Sequence, residues 1–238
     1  ISIGEKESDP VFVITDLLVH LAANQMSKKA SEVIEGEKLD LLIGNSPLDK
    51  AEGLDEEEKE TIKANVLYIL KDYGIEEEDF ASAELEIVPA GKARDCGFDR
   101  SMILSYGQDD RVCAFTSLFA MLDVENAKRT GCCLLVDKEE IGSVGATGMH
   151  SRFFENTVAE LVALTEGESE LKVRRALANS RMLSSDVSAA YDPMFAEAFE
   201  KRSAAFFTKG LAFNKFTGSR GKSGSNDANA EYLARLRK

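Results

Sequence analysis

The sequence predicts an α/β fold in which helices cover a sheet, and three observations carry that expectation. Short apolar runs of strand length recur at "SMILSY" (101–106), "GCCLLV" (131–136) and "LAFNKF" (211–216). Each leads through a polar or glycine-rich turn into a stretch with helical apolar spacing. Repeated strand, loop and helix build a sheet with helices packed on it, because each element must bury one apolar side. The third observation is charge. Residues 1–92 hold 9 Lys/Arg and 22 Asp/Glu, whereas residues 93–238 hold 20 of each, so the net charge of -13 belongs to the first part. This shift divides the chain near residue 92, into 1–92 and 93–238.

In the first part, Asp9-Pro10 suits a helix start, and Val13, Leu17 and Leu21 share one face of a helix over 11–35. Ile62, Val66 and Ile69 are in phase for a second helix over 56–73, which Gly74 would cap. "AELEIVPAG" (83–91) alternates like a strand and stops at Pro89. In the second part, helices are expected over about 111–128, 151–165 and 227–238, with "RRALANS" leading to "SSD" at 184–186.

Composition narrows the function. The 238 residues suffice for one large domain or two smaller ones. No apolar run approaches the roughly 20 residues that span a bilayer, and no signal peptide is visible, so a cytoplasmic, membrane-free protein is expected. Cys96, Cys113, Cys132 and Cys133 lack C-x-x-C spacing and suit reduced, buried thiols. The acidic stretches "DEEEKE" (55–60) and "EEED" (76–79) fit a solvated face and disfavour nucleic acid, whose phosphates they repel. The first residue is Ile rather than Met, as expected of a processed chain or a piece of a longer one.

Three acidic clusters occupy equivalent positions. Asp109-Asp110 and Glu139-Glu140 follow apolar runs, and Asp186 follows "RMLSS". Loops at the carboxyl ends of strands gather on one edge of an α/β sheet, so these carboxylates can converge. Converging carboxylates call for cations. A pair of divalent metals shared between them polarises a carbonyl and activates water, and a carboxylate left off the metals can serve as general base. Otherwise, such residues cap helices and face solvent.

The same residues resemble a known family. "YGQDDR" (106–111), "DKEEIGSVGATGMHSRFFENT" (137–157), "SSDVSAAYDP" (184–193) and "NKFTGSRGKSGSNDA" (214–228) are similar to the M18 metalloaminopeptidases, and "DPVFVITDLLVHLA" resembles the inserted lid of that family. The resemblance implies a zinc-peptidase α/β sandwich domain (residues 93–238, partial) and a lid or dimerisation domain (residues 1–92, partial). It implies removal of acidic or apolar N-terminal residues from peptides by two metal ions, zinc first and cobalt or manganese as alternatives. It implies self-association into a large homo-oligomer, a tetrahedral dodecamer. By resemblance Asp109 bridges the metals, Asp186 and Glu140 hold one each, and Glu139 is the general base. His20 reaches a neighbouring subunit's site, and Lys215 and Lys222 meet the substrate.

One departure is evident. The family supplies a histidine to each metal, but this chain contains only His20 and His150, and neither lies in a matching motif. The simplest expectation is an internal piece of a longer polypeptide that binds metal poorly alone. The alternative is a non-catalytic or vestigial assembly module of the same fold. Other motifs fall short. "FTGSRGKS" (216–223) fails the phosphate-loop pattern at Phe216, and Gly142, Gly145 and Gly148 have the wrong spacing for a dinucleotide fingerprint. Neighbours Ser151 and His150 do not face each other on a helix, which sets aside a nucleophile pair.

Overall fold

The computed structural model of the chain describes residues 1–48, 60–214 and 228–238. They form two units, Ile1–Tyr106 and Gly107–Lys238, and residue 92, where the charge balance shifts, lies inside the first. Helices and strands are mixed. No helix among the described residues is long and apolar enough to cross a membrane.

The first unit holds two antiparallel ladders. Strand β1 (Val13–Ile14) pairs with β2 (Leu41–Leu42), setting Val13 opposite Leu42 and Ile14 opposite Leu41. Strand β3 (Arg94–Cys96) pairs with β4 (Met102–Leu104), with Asp95 opposite Ile103. The Asp99 carboxylate organises the turn between them, accepting from the Ser101 amide at 3.3 Å and the Ser101 hydroxyl at 3.0 Å.

The helix expected over 11–35 is largely replaced, and only α1 (Ala23–Met26) is helical there. Val11, Val13, Ile14 and Thr15 are β-branched and favour extended backbone, which β1 adopts. Asp16 then accepts from the Leu17 amide at 2.7 Å and from Gln25 Nε2 at 3.0 Å, a local bond that competes with helix propagation. Helix α2 (Thr61–Leu70) forms as expected and runs through a 3-10 turn to Gly74, whose φ of 72° makes the left-handed cap. Residues 83–91 make no strand pairing.

The second unit is helical. It contains α3 (Gln108–Leu122), α4 (Phe153–Glu166), α5 (Glu170–Asn179) and α6 (Ala230–Leu236). Helices α4 and α5 pack against each other. Ser169 caps α5 by accepting from the Lys172 amide at 3.3 Å, and Asn229 caps α6 by accepting from the Tyr232 amide at 2.8 Å.

The sheet expected here is not assembled among the described residues. Among the described residues of this unit the only pairing is an isolated parallel bridge, Ala190 with Ala205. Residues 131–136 have no strand partner. A strand takes its backbone hydrogen bonds from a neighbour, and no described segment supplies one. The consequence is exposure. Among the described residues only Ala22 and Gly148 are buried. Leu135 is 55% exposed, Phe153 66% and Leu164 82%. All four cysteines are free; Cys132 is exposed, and Cys96, Cys113 and Cys133 are half-buried rather than buried.

Candidate metal centre

The chain enters α3 through Gly107, whose φ is 70°. A side chain there would also meet the Arg111 guanidinium at 3.1 Å, so glycine serves both the turn and the close approach. Asp109 (φ -88°, ψ 108°) and Asp110 (φ -117°, ψ 23°) are not yet helical, and the regular helix begins after them. Their carboxylates are therefore placed by the entry loop.

The third carboxylate comes from the extended stretch after α5. Ser180 ends that helix with ψ of 159°, and the Arg129 guanidinium donates to the Asn179 carbonyl at 2.6 Å. Downstream, Asn214 Nδ2 donates to the Ser188 hydroxyl at 2.8 Å, and the Tyr191 amide donates to the Ala205 carbonyl at 2.7 Å. The Tyr191 ring lies between Phe199 and Phe206, with centroids at 5.7 and 5.1 Å. Asp186 thus sits on a segment fastened on both sides.

Carboxylate oxygens of Asp109, Asp110 and Asp186 lie within 4.8 Å of one another. Like charges this close repel, and a cation among them would offset that repulsion. Asp110 Oδ1 is buried and has no hydrogen-bond partner. Leaving such an acceptor unsatisfied costs about 1–3 kcal/mol, and a cation would satisfy it. An all-oxygen donor set of this kind fits a divalent metal.

Cys113 borders the cluster, half-buried on α3. Burial pushes its thiol up to about 11; a hydrogen bond to Asp110, the Asp110 charge and the Asp186 charge push the same way, while the Ser185 hydroxyl opposes them. Cys113 is therefore a neutral thiol at physiological pH, able to donate to Asp110 and accept from Ser185.

Glu139 and Glu140 are not members of that 4.8 Å group. They form a 3-10 turn, Glu139–Ile141, between Lys138 (φ 63°) and Gly142 (φ 99°), and both are exposed. The loop closes on itself. The Asp137 amide donates to the Thr147 carbonyl at 3.1 Å, the Ser143 amide to Lys138 at 2.7 Å, and the His150 amide to Ser143 at 3.1 Å. Gly148 is required there, since a Cβ would fall 2.3 Å from the Ser143 carbonyl oxygen. The Lys138 amide, first among several donors, holds the Asp137 carboxyl below the usual carboxylate range.

Of the site residues read from the sequence, the structure therefore brings Asp109 and Asp186 together. Glu139 and Glu140 are outside that cluster. His20 is exposed, in the turn before α1 in the first unit. Lys215 and Lys222 lie outside the described residues. Three residues of the site had no role assigned from sequence: Asp110, Cys113 and Ser185. A helical offset of three from Asp110 to Cys113, and adjacency of Ser185 to Asp186, were the available signals.

Comparison with known proteins places the chain. The family described as aminopeptidase I zinc metalloprotease (M18) matches residues 1–238. A Clostridium acetobutylicum protein named probable M18 family aminopeptidase 1 is 61% identical over 239 residues, covering all of this chain and 50% of that protein. A Borreliella burgdorferi protein of the same name is 45% identical over 242 residues, with 52% of its length covered. Among solved structures, aminopeptidase I from Clostridium acetobutylicum superposes with a TM-score of 0.84 at 60% identity, over the whole of this chain and 50% of that one. An M18 aminopeptidase from Thermotoga maritima gives 0.88 at 43% identity, again over the whole chain and 51% of the other. The chain thus spans about half the length of the relatives it matches. With the match running end to end, the chain belongs to the M18 family of aminopeptidase I zinc metalloproteases.

Proposed function

We propose that this chain supplies the carboxylate side of a dinuclear metal centre, and that the protein containing it removes N-terminal residues from peptides. The observation that carries this reading is the meeting of Asp109 and Asp186, distant in sequence, around an unsatisfied buried oxygen of Asp110. Asp109, Asp186 and Glu140 would hold the cations, with Asp109 serving both. A bound zinc ion supplies Lewis acidity, polarising the scissile carbonyl and making water more acidic at neutral pH; cobalt or manganese would suit the same donors. Glu139 takes a proton from the attacking water. The water oxygen bonds the carbonyl carbon, the carbon–nitrogen bond breaks, and the proton passes from Glu139 to the departing amine. Side-by-side glutamates suit this division, because successive side chains on a turn point in different directions and one can hold a cation while the other stays free.

The remaining roles belong to the same proposal. Residues 93–238 form part of a zinc-peptidase α/β sandwich, and residues 1–92 part of a lid. His20 acts on a neighbouring subunit within a tetrahedral dodecamer. Lys215 and Lys222 meet the peptide, whose N-terminal residue is acidic or apolar. The compartment is the cytoplasm. A second reading has its own support, since the described cluster contains no imidazole: a non-catalytic assembly module. The deciding experiment uses the full polypeptide that carries this chain. Metal analysis should find two ions per subunit, and Glu139→Gln should keep them while losing roughly 10²–10⁴-fold in turnover. Unchanged turnover would remove Glu139 as the base, and a metal-free, inactive oligomer would establish the assembly module.

A further inference from the structure

We propose that Gly148 is a positioning residue for the glutamate turn: its backbone, packed against the Ser143–Val144 peptide, fixes where the Glu139 carboxylate is presented. The inference rests on the reading of Glu139 as general base and deepens it. The loop is closed by backbone bonds in series. The Ser143 amide donates to the Lys138 carbonyl at 2.7 Å, across the turn that carries Glu139 and Glu140. The His150 amide donates to the Ser143 carbonyl at 3.1 Å, and the Asp137 amide to the Thr147 carbonyl at 3.1 Å. The Thr147 hydroxyl adds a bond to the Asp137 carboxylate at 3.4 Å. Ser143 is therefore the joint: its amide holds the glutamate turn, and its carbonyl holds the limb that contains Gly148.

Gly148 lies in sequence between two of these anchors, Thr147 and His150, and is buried. A Cβ there would fall 2.3 Å from the Ser143 carbonyl oxygen, 2.4 Å from the Ser143 carbonyl carbon and 2.4 Å from the Val144 carbonyl oxygen. All three are backbone atoms, which cannot swing aside as a side-chain end does. Ser143 has φ of 56°, a left-handed conformation that a residue other than glycine holds only under constraint. A push on its peptide therefore passes through the Ser143–Lys138 bond into the turn. Gly145 provides the contrast. It is also left-handed, with φ of 76°, but a Cβ on it would meet nothing within 4 Å. One glycine is needed for its φ and the other for the space it leaves. Catalysis is sensitive to such a push, because a general base must stay within hydrogen-bond reach of the water it deprotonates, and a misplacement of about 1 Å can cost on the order of 100-fold.

The test is steady-state hydrolysis of a panel of aminoacyl 4-nitroanilides by the zinc-loaded full polypeptide, run in wild-type and Glu139→Gln backgrounds. Gly148→Ala should lower kcat by roughly 10–100-fold, with zinc content unchanged and KM within about 3-fold of wild type. Gly145→Ala, which adds strain without contact, should keep kcat within about 2-fold. In the Glu139→Gln background Gly148→Ala should cost nothing further, because it acts through the carboxylate already removed, a coupling that a merely structural role would not produce. Where Gly148→Ala does not fold, Thr147→Val decides: it removes the hydroxyl bond to Asp137 at the same closure and should lower kcat by roughly 3–5-fold, again only when Glu139 is present. Wild-type kcat in the folded variant, or the same loss in both backgrounds, overturns the role of Gly148 and leaves Glu139 as the base. Unchanged turnover in Glu139→Gln itself overturns both.

Discussion

Helix α3 and the segment 131–141 each deliver a pair of carboxylates, and they are built by opposite rules. Helix α3 (Gln108–Leu122) makes its backbone hydrogen bonds within itself, and Asp109 and Asp110 are placed by the loop that enters it. The segment 131–136 has no strand partner among the described residues; Leu135 and Val136 stand open to solvent, and Cys133 and Leu134 are half-buried. Only the loop after it, tied from Asp137 to Thr147 and from Ser143 to His150, holds Glu139 and Glu140 in a defined turn. A helix carries its own hydrogen bonds, whereas a strand depends on its neighbour's. The cluster that assembles, Asp109 with Asp110 and Asp186, accordingly comes from a helix entry and a segment fastened at both ends.

This contrast can be broken in three ways, taken from the largest expected effect. Asp109→Ala or Asp186→Ala in the full polypeptide removes a member of the preassembled cluster. Each should abolish stoichiometric zinc and cut turnover by at least about 10³-fold, with Glu139→Gln as the metal-retaining control. Zinc retained in both alanine variants would mean that the described cluster is not the metal centre.

The second concerns the unpaired segment. In this chain alone, the amides of residues 132–136 should exchange with deuterium far faster than those of α4. In the full polypeptide they should become protected, as a strand with a partner is. Leu135→Asp should then destabilise the full polypeptide by about 2–4 kcal/mol, from lost apolar burial and a desolvated charge, while scarcely affecting this chain alone. Equal exchange in both forms would show that the segment is a loop and not an unfilled strand.

The smallest effects sharpen the helical half of the contrast. Ser169→Ala and Asn229→Ala each remove a side-chain acceptor from a first-turn amide, at Lys172 and Tyr232 respectively. Each should cost about 1 kcal/mol, with the loss of protection confined to α5 or α6. Loss spreading across the unit would mean that these helices are not locally autonomous.

What could be read from the sequence divides along the same physical line. Helices α2 and α4 appear close to where apolar spacing puts them, and Gly74 takes the left-handed cap it predicts. Asp109 and Asp186 were legible because they follow apolar runs and lie in motifs shared with a family. These features depend on interactions within a few residues, or on a match that one chain can display. The stretch 11–35 misled because its helical spacing was outweighed by β-branched residues and by pairing with Leu41 and Leu42, which no local pattern announces. Asp110 stood in an acidic pair that the sequence marks, but without a role, and Cys113 carries no distinguishing mark in sequence. Their importance comes from Ser185 and Asp186 lying against them, so it belongs to the tertiary structure. By itself, then, the sequence determined the family and the places of helices such as α2 and α4. The tertiary structure alone decided which carboxylates meet and which apolar run stays unpaired, because both depend on contacts between residues far apart along the chain.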